Sequence, residues 1–399
     1  MCGRSTDILS NRQPEPLCWM RCLQTLTIGG IMSELGDALK SARSAAGWSL
    51  ARMAQAAHYS RSYLSLIENG KRSPAPDVIA AYEQYLGVPI GSDAVRRAHE
   101  WLVAQSPMVE QTRSGRRVGT TLSDALDARV VELRHLDDVV GSQDLLPAVR
   151  KELAEAEALV RNSSYPDIIG SRLLTATGEL AQLAGWVASD AGLHAEAQRV
   201  YLSGVSAAEA ANDFVLGGQL FSSLSYQMAN VGNAEDALLL ARTATHGARD
   251  ATPVVRALLL ERVAWASARV GDREATRRTL DEVDDAYERR TDGLPEPEWV
   301  YWLNRAEIDV MAGRCMIELG APDKAEPLLS AAIATYPVEQ AREVALYLTW
   351  LAEAYARSGQ MDAAGATLSD ARGFAAAMPS ARTSLRLSTV ATLIGDYSE

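Results

Sequence analysis

The sequence contains little cysteine, phenylalanine and lysine, and it has no long apolar run. Among 399 residues there are four Cys, three Phe and four Lys, and no stretch of 18 consecutive apolar residues occurs. So few cysteines argue against the dense disulfide framework of a small secreted domain, and the missing apolar run predicts that nothing spans a membrane. Few aromatic residues and abundant alanine favour helices over strands. We therefore expect an all-α cytoplasmic protein.

Sequence motifs for catalysis and metal binding are also missing. The five His are scattered, and the chain has no His-Glu-x-x-His, Gly-x-Ser-x-Gly or phosphate-loop sequence. Cys2, Cys18 and Cys22 lack a nearby fourth ligand for a structural zinc ion. We therefore predict that the protein is not an enzyme and that it needs no metal or other cofactor.

The charge is distributed unevenly between the two ends of the chain. The net charge is −12, yet residues 1–120 carry 14 Lys and Arg against 10 Asp and Glu, whereas the remainder carries 25 against 41. Clustered positive charge is what binding to phosphates requires. The N-terminal part is therefore the candidate for contact with nucleic acid.

Capping residues indicate a small helical bundle over residues 33–90. Ser33, Ser49 and Ser60 are each placed to cap a helix, and Pro76 with Asp77 opens a fourth. Residues 1–32 lack periodicity and are predicted to be a disordered leader, in which Met32 is an alternative start to Met1. Residues 91–120 are predicted to be a linker; its basic stretch 113–117 is either a solvated linker segment or an arm that binds DNA.

Residues 49–72, SLARMAQAAHYSRSYLSLIENGKR, resemble the XRE family of phage-repressor-type helix-turn-helix proteins, and the resemblance extends over residues 35–88. It implies that the third helix enters the major groove of double-stranded DNA. The residues that it assigns to base contact are Arg61, Ser62 and Ser65, and those that it assigns to phosphate contact are Ser60, Lys71 and Arg72.

The same resemblance implies further structural roles and shows two departures. Arg43 and Glu68 match an internal ion pair of the family, and Leu66 is expected in the core or in an interface. Leu50 stands where the family commonly has a phosphate-binding Gln, and His58 stands in place of the turn glycine, at a position that takes a positive φ.

Residues 121–399 show an internal repeat. Glycines that predict loops recur at separations of 40, 39, 49 and 39 residues, and small residues follow at fixed offsets where the two helices of a hairpin cross; the glycines are Gly192, Gly232, Gly271, Gly320 and Gly359. We expect each to end a first helix in the left-handed conformation. Over residues 170–375 the pattern resembles the tetratricopeptide repeat, with an insertion at 291–297.

The repeat register predicts an effector groove on the first helices of the hairpins. Its polar and aromatic residues are Gln182, Trp186, Tyr226, Asn230, Glu261, Trp265, Arg269, Arg314 and Arg357. The combined architecture is similar to tetratricopeptide-type quorum-sensing regulators of Gram-positive bacteria, which implies a peptide or small-molecule effector and a homodimer. The sequence therefore predicts a nucleoid-associated, sequence-specific transcriptional regulator; the alternative is a repeat scaffold for protein partners that the helix-turn-helix tethers to DNA.

Overall fold

The protein is all-helical over the part of the chain that a computed structural model describes. The described residues are 36, 39–72, 74, 76–87, 118–291, 293–337 and 340–396. No strand occurs among them, and none of their helices has the length and apolar character needed to cross a membrane. The predicted leader, the cap Ser33 and the basic stretch 113–117 of the predicted linker lie outside the described residues.

The chain divides into two compact units, which we call unit 1 (residues 1–101) and unit 2 (residues 102–399). In unit 1, residues 39–45 are helical and belong to α1. The following helices are α2 (Leu50–Ala56), α3 (Arg61–Glu68) and α4 (Pro76–Leu86). Their apolar faces form one core, whose buried members are Leu39, Met53, Ala54, Leu64, Ile67, Val78, Ile79 and Tyr82.

Two of the three predicted serine caps, and the predicted turn of unit 1, are observed. The Ser49 hydroxyl oxygen accepts a hydrogen bond from the backbone N–H of Arg52, and that of Ser60 accepts one from Tyr63, both at 3.1 Å. Each bond satisfies a backbone donor that the first turn of a helix leaves free. His58, between α2 and α3, has a φ of 58°, so this position takes the left-handed conformation without glycine.

Unit 2 is a series of long helices. They are α5 (Thr120–Asp137), α6 (Ser142–Asn162), α7 (Asp167–Asp190), α8 (His194–Ala210), α9 (Phe214–Val231), α10 (Ala234–Gly247), α11 (Pro253–Arg269), α12 (Arg273–Glu288), α13 (Arg305–Glu318), α14 (Pro322–Ile333), α15 (Ala341–Arg357), α16 (Met361–Ala377) and α17 (Ala381–Asp396). Five hairpins, from α7–α8 to α15–α16, follow one another, and their first helices also contact each other in sequence from α7 to α15.

The small residues predicted at the crossings of the hairpins are buried. Five positions after each loop glycine lie residues that are 0% exposed: Ala197, Ala237, Thr276, Ala325 and Ala364. A Cβ added at Gly313 would lie 2.8 Å from the Leu329 side chain, and one at Gly204 would lie 2.7 Å from that of Leu220. Bulk at these positions would push the helix axes apart, so the register of the repeats follows from these residues.

Two features of the repeats differ from the expectation. Four of the loop glycines have a positive φ, but Gly232 has a φ of −132°, so the prediction of a left-handed residue is wrong there. The insertion is also longer than 291–297, because α12 and α13 are joined by residues 289–304. This connection includes a short 3-10 helix, Glu298–Val300, and buries Trp299 and Leu303.

Candidate functional site

The first turn of α3 presents polar side chains on the surface of unit 1. Arg61 and Ser62 are exposed and Ser65 is half-buried, whereas Leu64 and Ile67 are in the core. The 3.6-residue period of a helix separates these two faces. The three residues assigned to base contact therefore lie outside the core, on a helix whose buried face is fixed.

The residues assigned to phosphate contact lie at the two ends of α3. The Ser60 oxygen already caps the helix, which leaves the hydroxyl hydrogen free to donate. Lys71 and Arg72 follow α3 and are exposed, and the Arg72 guanidinium lies 4.8 Å from the centre of the Tyr63 ring.

A buried charge network holds α3 in place. The Arg43 guanidinium donates to both carboxylate oxygens of Glu68, at 2.6 and 2.7 Å, and to the carbonyl oxygen of Trp48. The Tyr82 hydroxyl donates to the same carboxylate at 2.8 Å. The hydrogen bond to Glu68 raises the pKa of Arg43, and burial, followed by the bond to Glu68, raises that of Tyr82. The predicted ion pair is present.

One expectation for α3 is partly wrong. Leu66 is 41% exposed, so it is not in the core of unit 1; its place in an interface stays a prediction.

Gly36 lies so close to α3 that a Cβ at this position would be 2.4 Å from the carbonyl oxygen of Ile67.

The nine predicted groove residues line two adjoining cavities in unit 2, which we call cavity A and cavity B. Cavity A has a volume of about 320 Å³ and cavity B about 360 Å³. They share a wall that consists of Trp186, Ser223, Tyr226, Arg314, Leu346 and Arg382. Gln182 and Glu261 lie in cavity A, while Asn230, Trp265, Arg269 and Arg357 lie in cavity B. The predicted residues come from the first helices of all five hairpins.

Cavity A is lined by buried acids and by hydroxyl groups. Burial raises the pKa of the Glu261 carboxyl to about 8, against the opposing charge of Arg262. Burial also raises the pKa of Glu307, although Tyr336 and Tyr347 donate hydrogen bonds to it. These carboxyl groups therefore keep a proton at a higher pH than usual.

Cavity B is lined by arginines that alternate with aromatic rings. Trp186 stacks on Tyr226 with ring centres 5.8 Å apart, and Trp265 meets Trp350 edge-on at 5.7 Å. The Arg386 guanidinium lies 3.5 Å from the Trp350 ring centre. The charged lining consists of five arginines against three carboxylates, namely Arg269, Arg314, Arg357, Arg382 and Arg386 against Asp190, Glu318 and Glu353.

The groove is partly enclosed, because α17 forms one wall of cavity B. Trp265 and Glu261 are 1% exposed and Arg314 is 4% exposed. Arg382 of α17 pairs with Asp190 of α7 at 3.2 Å, and Ser380 donates to the same carboxylate. The last helix of unit 2 is thereby joined to the first hairpin.

Sequence reasoning missed the residues that close the site. Arg382 and Arg386 lie on α17, beyond the segment 170–375 in which the sequence resembles the repeat. Arg262 is adjacent to the predicted Glu261, whereas Arg342 and Trp350 lie on α15 away from its predicted residue Arg357. The sole signal for the first two is their four-residue spacing, which an ordinary solvated helix face also shows. Contacts between α17 and α7 span about half of the chain, and no local pattern encodes them.

The comparisons with known proteins identify unit 1. A family model described as a helix-turn-helix domain matches residues 34–98. The transcriptional regulator ClgR of Mycobacterium tuberculosis, from strains CDC 1551 / Oshkosh and H37Rv, is 32% identical over 88 residues, which are 22% of this chain and 78% of ClgR. Among solved structures, the apo form of the competence regulator ComR from Streptococcus vestibularis has a TM-score of 0.32 and 13% identity, over 76% of this chain and 92% of that one.

At a TM-score of 0.32 the likeness to ComR transfers no property to this chain. The family match includes α2 and α3 with their caps, and the alignment with ClgR covers more than two thirds of that regulator. The chain belongs to the XRE-type helix-turn-helix family of DNA-binding transcriptional regulators.

Proposed function

We propose that the protein is a sequence-specific regulator in which α3 reads DNA and unit 2 senses a peptide or small-molecule effector and joins two copies of the chain. Its role is regulatory rather than enzymatic, and it acts on chromosomal DNA in the cytoplasm. The helix-turn-helix domains of the two copies, which we call the reading heads, would then bind DNA half-sites that lie about 34 Å or a multiple of that distance apart. Effector binding would favour one arrangement of the heads over another.

The observation that supports sensing is that residues from the first helices of all five hairpins line two adjoining cavities. Residues chosen by sequence register alone, from α7, α9, α11, α13 and α15, line cavities A and B. Enclosed sites of about 300–1,000 Å³ with aromatic walls and a few polar groups are typical of small-ligand binding. The enclosure by α17 favours a compact effector over a long extended peptide.

The DNA-reading proposal rests on the exposed first turn of α3. A site selected from random duplexes should be bound less tightly by the Arg61→Ala/Ser65→Ala variant, by about 10- to 100-fold, because a bidentate base contact is worth about 1–3 kcal/mol. Binding to unselected duplex should hardly change. The control is Lys71→Ala, which removes a proposed phosphate contact. It should weaken binding to both duplexes, and it should reduce the slope of log affinity against log salt concentration by about 1. Unchanged binding of the selected site by the double variant would refute the assignment.

The sensing proposal is tested at cavity B. Peptide and metabolite fractions of the native host are screened for an effect on DNA affinity, and active fractions are repeated with Asn230→Ala/Arg269→Ala. We expect the double variant to lose the response. The control is Arg172→Ala, which removes an exposed ion pair with Asp124 and Asp127 outside both cavities. If no fraction alters the DNA affinity of the wild type, the scaffold alternative is favoured; sedimentation of the free protein tests the dimer.

A further inference from the structure

Arg314 is a buried guanidinium that lacks an acidic partner among the described residues. It is 4% exposed, and its hydrogen bonds go to neutral groups, the Tyr226 hydroxyl at 2.8 Å and the Asn230 side-chain oxygen at 3.2 Å. Its Nε–H has no acceptor. A buried charge is costly unless an opposite charge lies beside it, so this position calls for an anion.

The other arginines of cavity B that approach the shared wall are paired. Arg382 lies 3.2 Å from Asp190, and Arg386 lies 2.5 Å from Glu353. These carboxylates have a lowered pKa: burial opposes ionisation, but the adjacent arginines outweigh it. The pairing of its neighbours makes Arg314 the exception.

The buried acid on the neighbouring helix does not neutralise Arg314. Burial raises the pKa of Glu261 to about 8, so this carboxyl is mostly uncharged at neutral pH. Burial alone would raise the pKa of the Tyr226 hydroxyl, but the charges of Arg314, Arg382 and Arg262 lower it to about 8. A tyrosine that ionises so readily indicates a positive potential at the shared wall.

Aromatic rings hold the Arg314 guanidinium in position. Its carbon atom lies 4.3 Å from the Trp265 ring centre and 4.8 Å from that of Trp350. Contact with two rings restrains the position of the guanidinium, and its Nε–H still has no acceptor. The same rings, with Trp186 and Leu346, supply apolar surface beside the charge.

We propose that Arg314 anchors the carboxylate of an effector whose apolar or aromatic body lies against Trp265 and Trp350. The proposal rests on the proposed sensing role of unit 2 and names the chemistry of its ligand. Such a carboxylate is present both at the C-terminus of a short peptide and in a small organic acid. A forked guanidinium suits this group because it donates two parallel hydrogen bonds to it.

The test uses the full-length protein and two pairs of probes. The first pair is 3-phenylpropionate and its amide; the second is the tripeptide Ala-Leu-Phe with a free or an amidated C-terminus. Each is titrated while thermal unfolding is followed, because a ligand that binds the folded state raises Tm. We expect the acid of at least one pair to bind about 10- to 100-fold more tightly than its amide. The pair that responds distinguishes an organic acid from a peptide.

Arg314→Met removes the charge and keeps an unbranched side chain of similar length. Because the charge is unpaired, we expect the ligand-free Tm to stay or to rise, while the difference between acid and amide disappears. The matched control is Arg129→Met, at a 9% exposed arginine that pairs with Glu152 and lines neither cavity. It should lower Tm and keep the discrimination.

Three results would overturn the proposal: equal shifts by acid and amide, no shift by any of the four probes, or undiminished discrimination in Arg314→Met. The proposed function fails separately. If an acid binds through Arg314 without altering DNA affinity, the anion site stands and the sensor role falls. If an uncharged ligand alters DNA affinity equally in wild type and Arg314→Met, the sensor role stands and the anion site falls.

Discussion

The buried charges of unit 1 are paired, whereas two buried charged residues beside the cavities of unit 2, Glu261 and Arg314, lack a close partner of opposite charge among the described residues. In unit 1, Glu68 accepts hydrogen bonds from Arg43 and Tyr82 at 2.6 to 2.8 Å. In unit 2, the nearest cation to Glu261 is Arg262 at 3.8 Å, and one of its oxygens has no partner. All buried side-chain polar atoms without a hydrogen-bond partner, among the residues that the structure describes, belong to unit 2.

Under the proposed function, this difference separates unit 1, which holds one shape, from unit 2, which would hold a ligand. Satisfied buried charges specify a single arrangement, whereas unsatisfied ones cost stability and persist where function requires them. A reading head must present α3 in a fixed position. If unit 2 is a sensor as proposed, its unpaired groups are available to an effector.

The largest effect is expected from Glu68→Ala. Removing this carboxylate leaves Arg43 and Tyr82 buried without their partner, which should cost about 3–5 kcal/mol of unfolding free energy. Urea denaturation measures the stability and titration with DNA measures the affinity. Stability and affinity should fall together because α3 loses the residue that holds it in place. The control is Asp77→Asn, which alters the exposed hydrogen bond from Tyr59 and should cost less than about 1 kcal/mol. Similar losses in the two variants would contradict the view that unit 1 depends on its buried pair.

The next effect is the pH dependence caused by Glu261. Its pKa is about 8 in the folded protein and 4.5 in its ordinary state, so the folded state binds more protons between these values. Stability must then fall as the pH rises from about 4.5 to about 8, by on the order of 1 kcal/mol per unit within that window. The urea midpoint of Glu261→Gln should not show this part of the decrease with rising pH. The midpoint of Glu235→Gln, at an exposed position, should depend on pH as the wild type does. Parallel curves for all three proteins would show that Glu261 is ionised normally.

The helices, their caps and the repeat register could be predicted from the sequence because they depend on near neighbours. Ser49 and Ser60 act within one turn, and the small residues after each loop glycine act at a fixed offset. The nine groove residues followed from that register. Gly232 was misjudged because a glycine in a loop does not by itself reveal the sign of its φ.

The enclosure of the groove could not be predicted in this way. It depends on α17 returning to α7 and on the pairing of Arg382 with Asp190, which joins residues 192 positions apart. The missing partner of Arg314 is equally invisible, since an arginine near several acids in sequence gives no information about which of them it meets.

Gly36→Ala tests how tightly unit 1 is packed. The added Cβ would meet a backbone oxygen of α3 at 2.4 Å, and backbone cannot move aside as a flexible side chain can. We expect a loss of about 1–3 kcal/mol and weaker DNA binding, measured by urea denaturation and by titration of the selected site. In contrast, Gly373→Ala in α16 meets nothing within 4 Å and should stabilise its helix by about 0.5–1 kcal/mol. A neutral Gly36→Ala would mean that α3 has more room than the contact implies.

The smallest effect separates two loop glycines of unit 2. Gly271 has a φ of +79° and open space around it, so Gly271→Ala should cost about 1 kcal/mol through backbone strain alone. Gly232 has a φ of −132°, outside the left-handed region, but a Cβ there would lie 3.2 Å from the Met228 carbonyl oxygen. The reduced freedom of the unfolded chain stabilises Gly232→Ala and the tight contact opposes this, so its stability should stay within about 0.5 kcal/mol of the wild type. If the two variants lose equal stability in urea, the expected difference between a left-handed and a non-left-handed loop glycine is wrong.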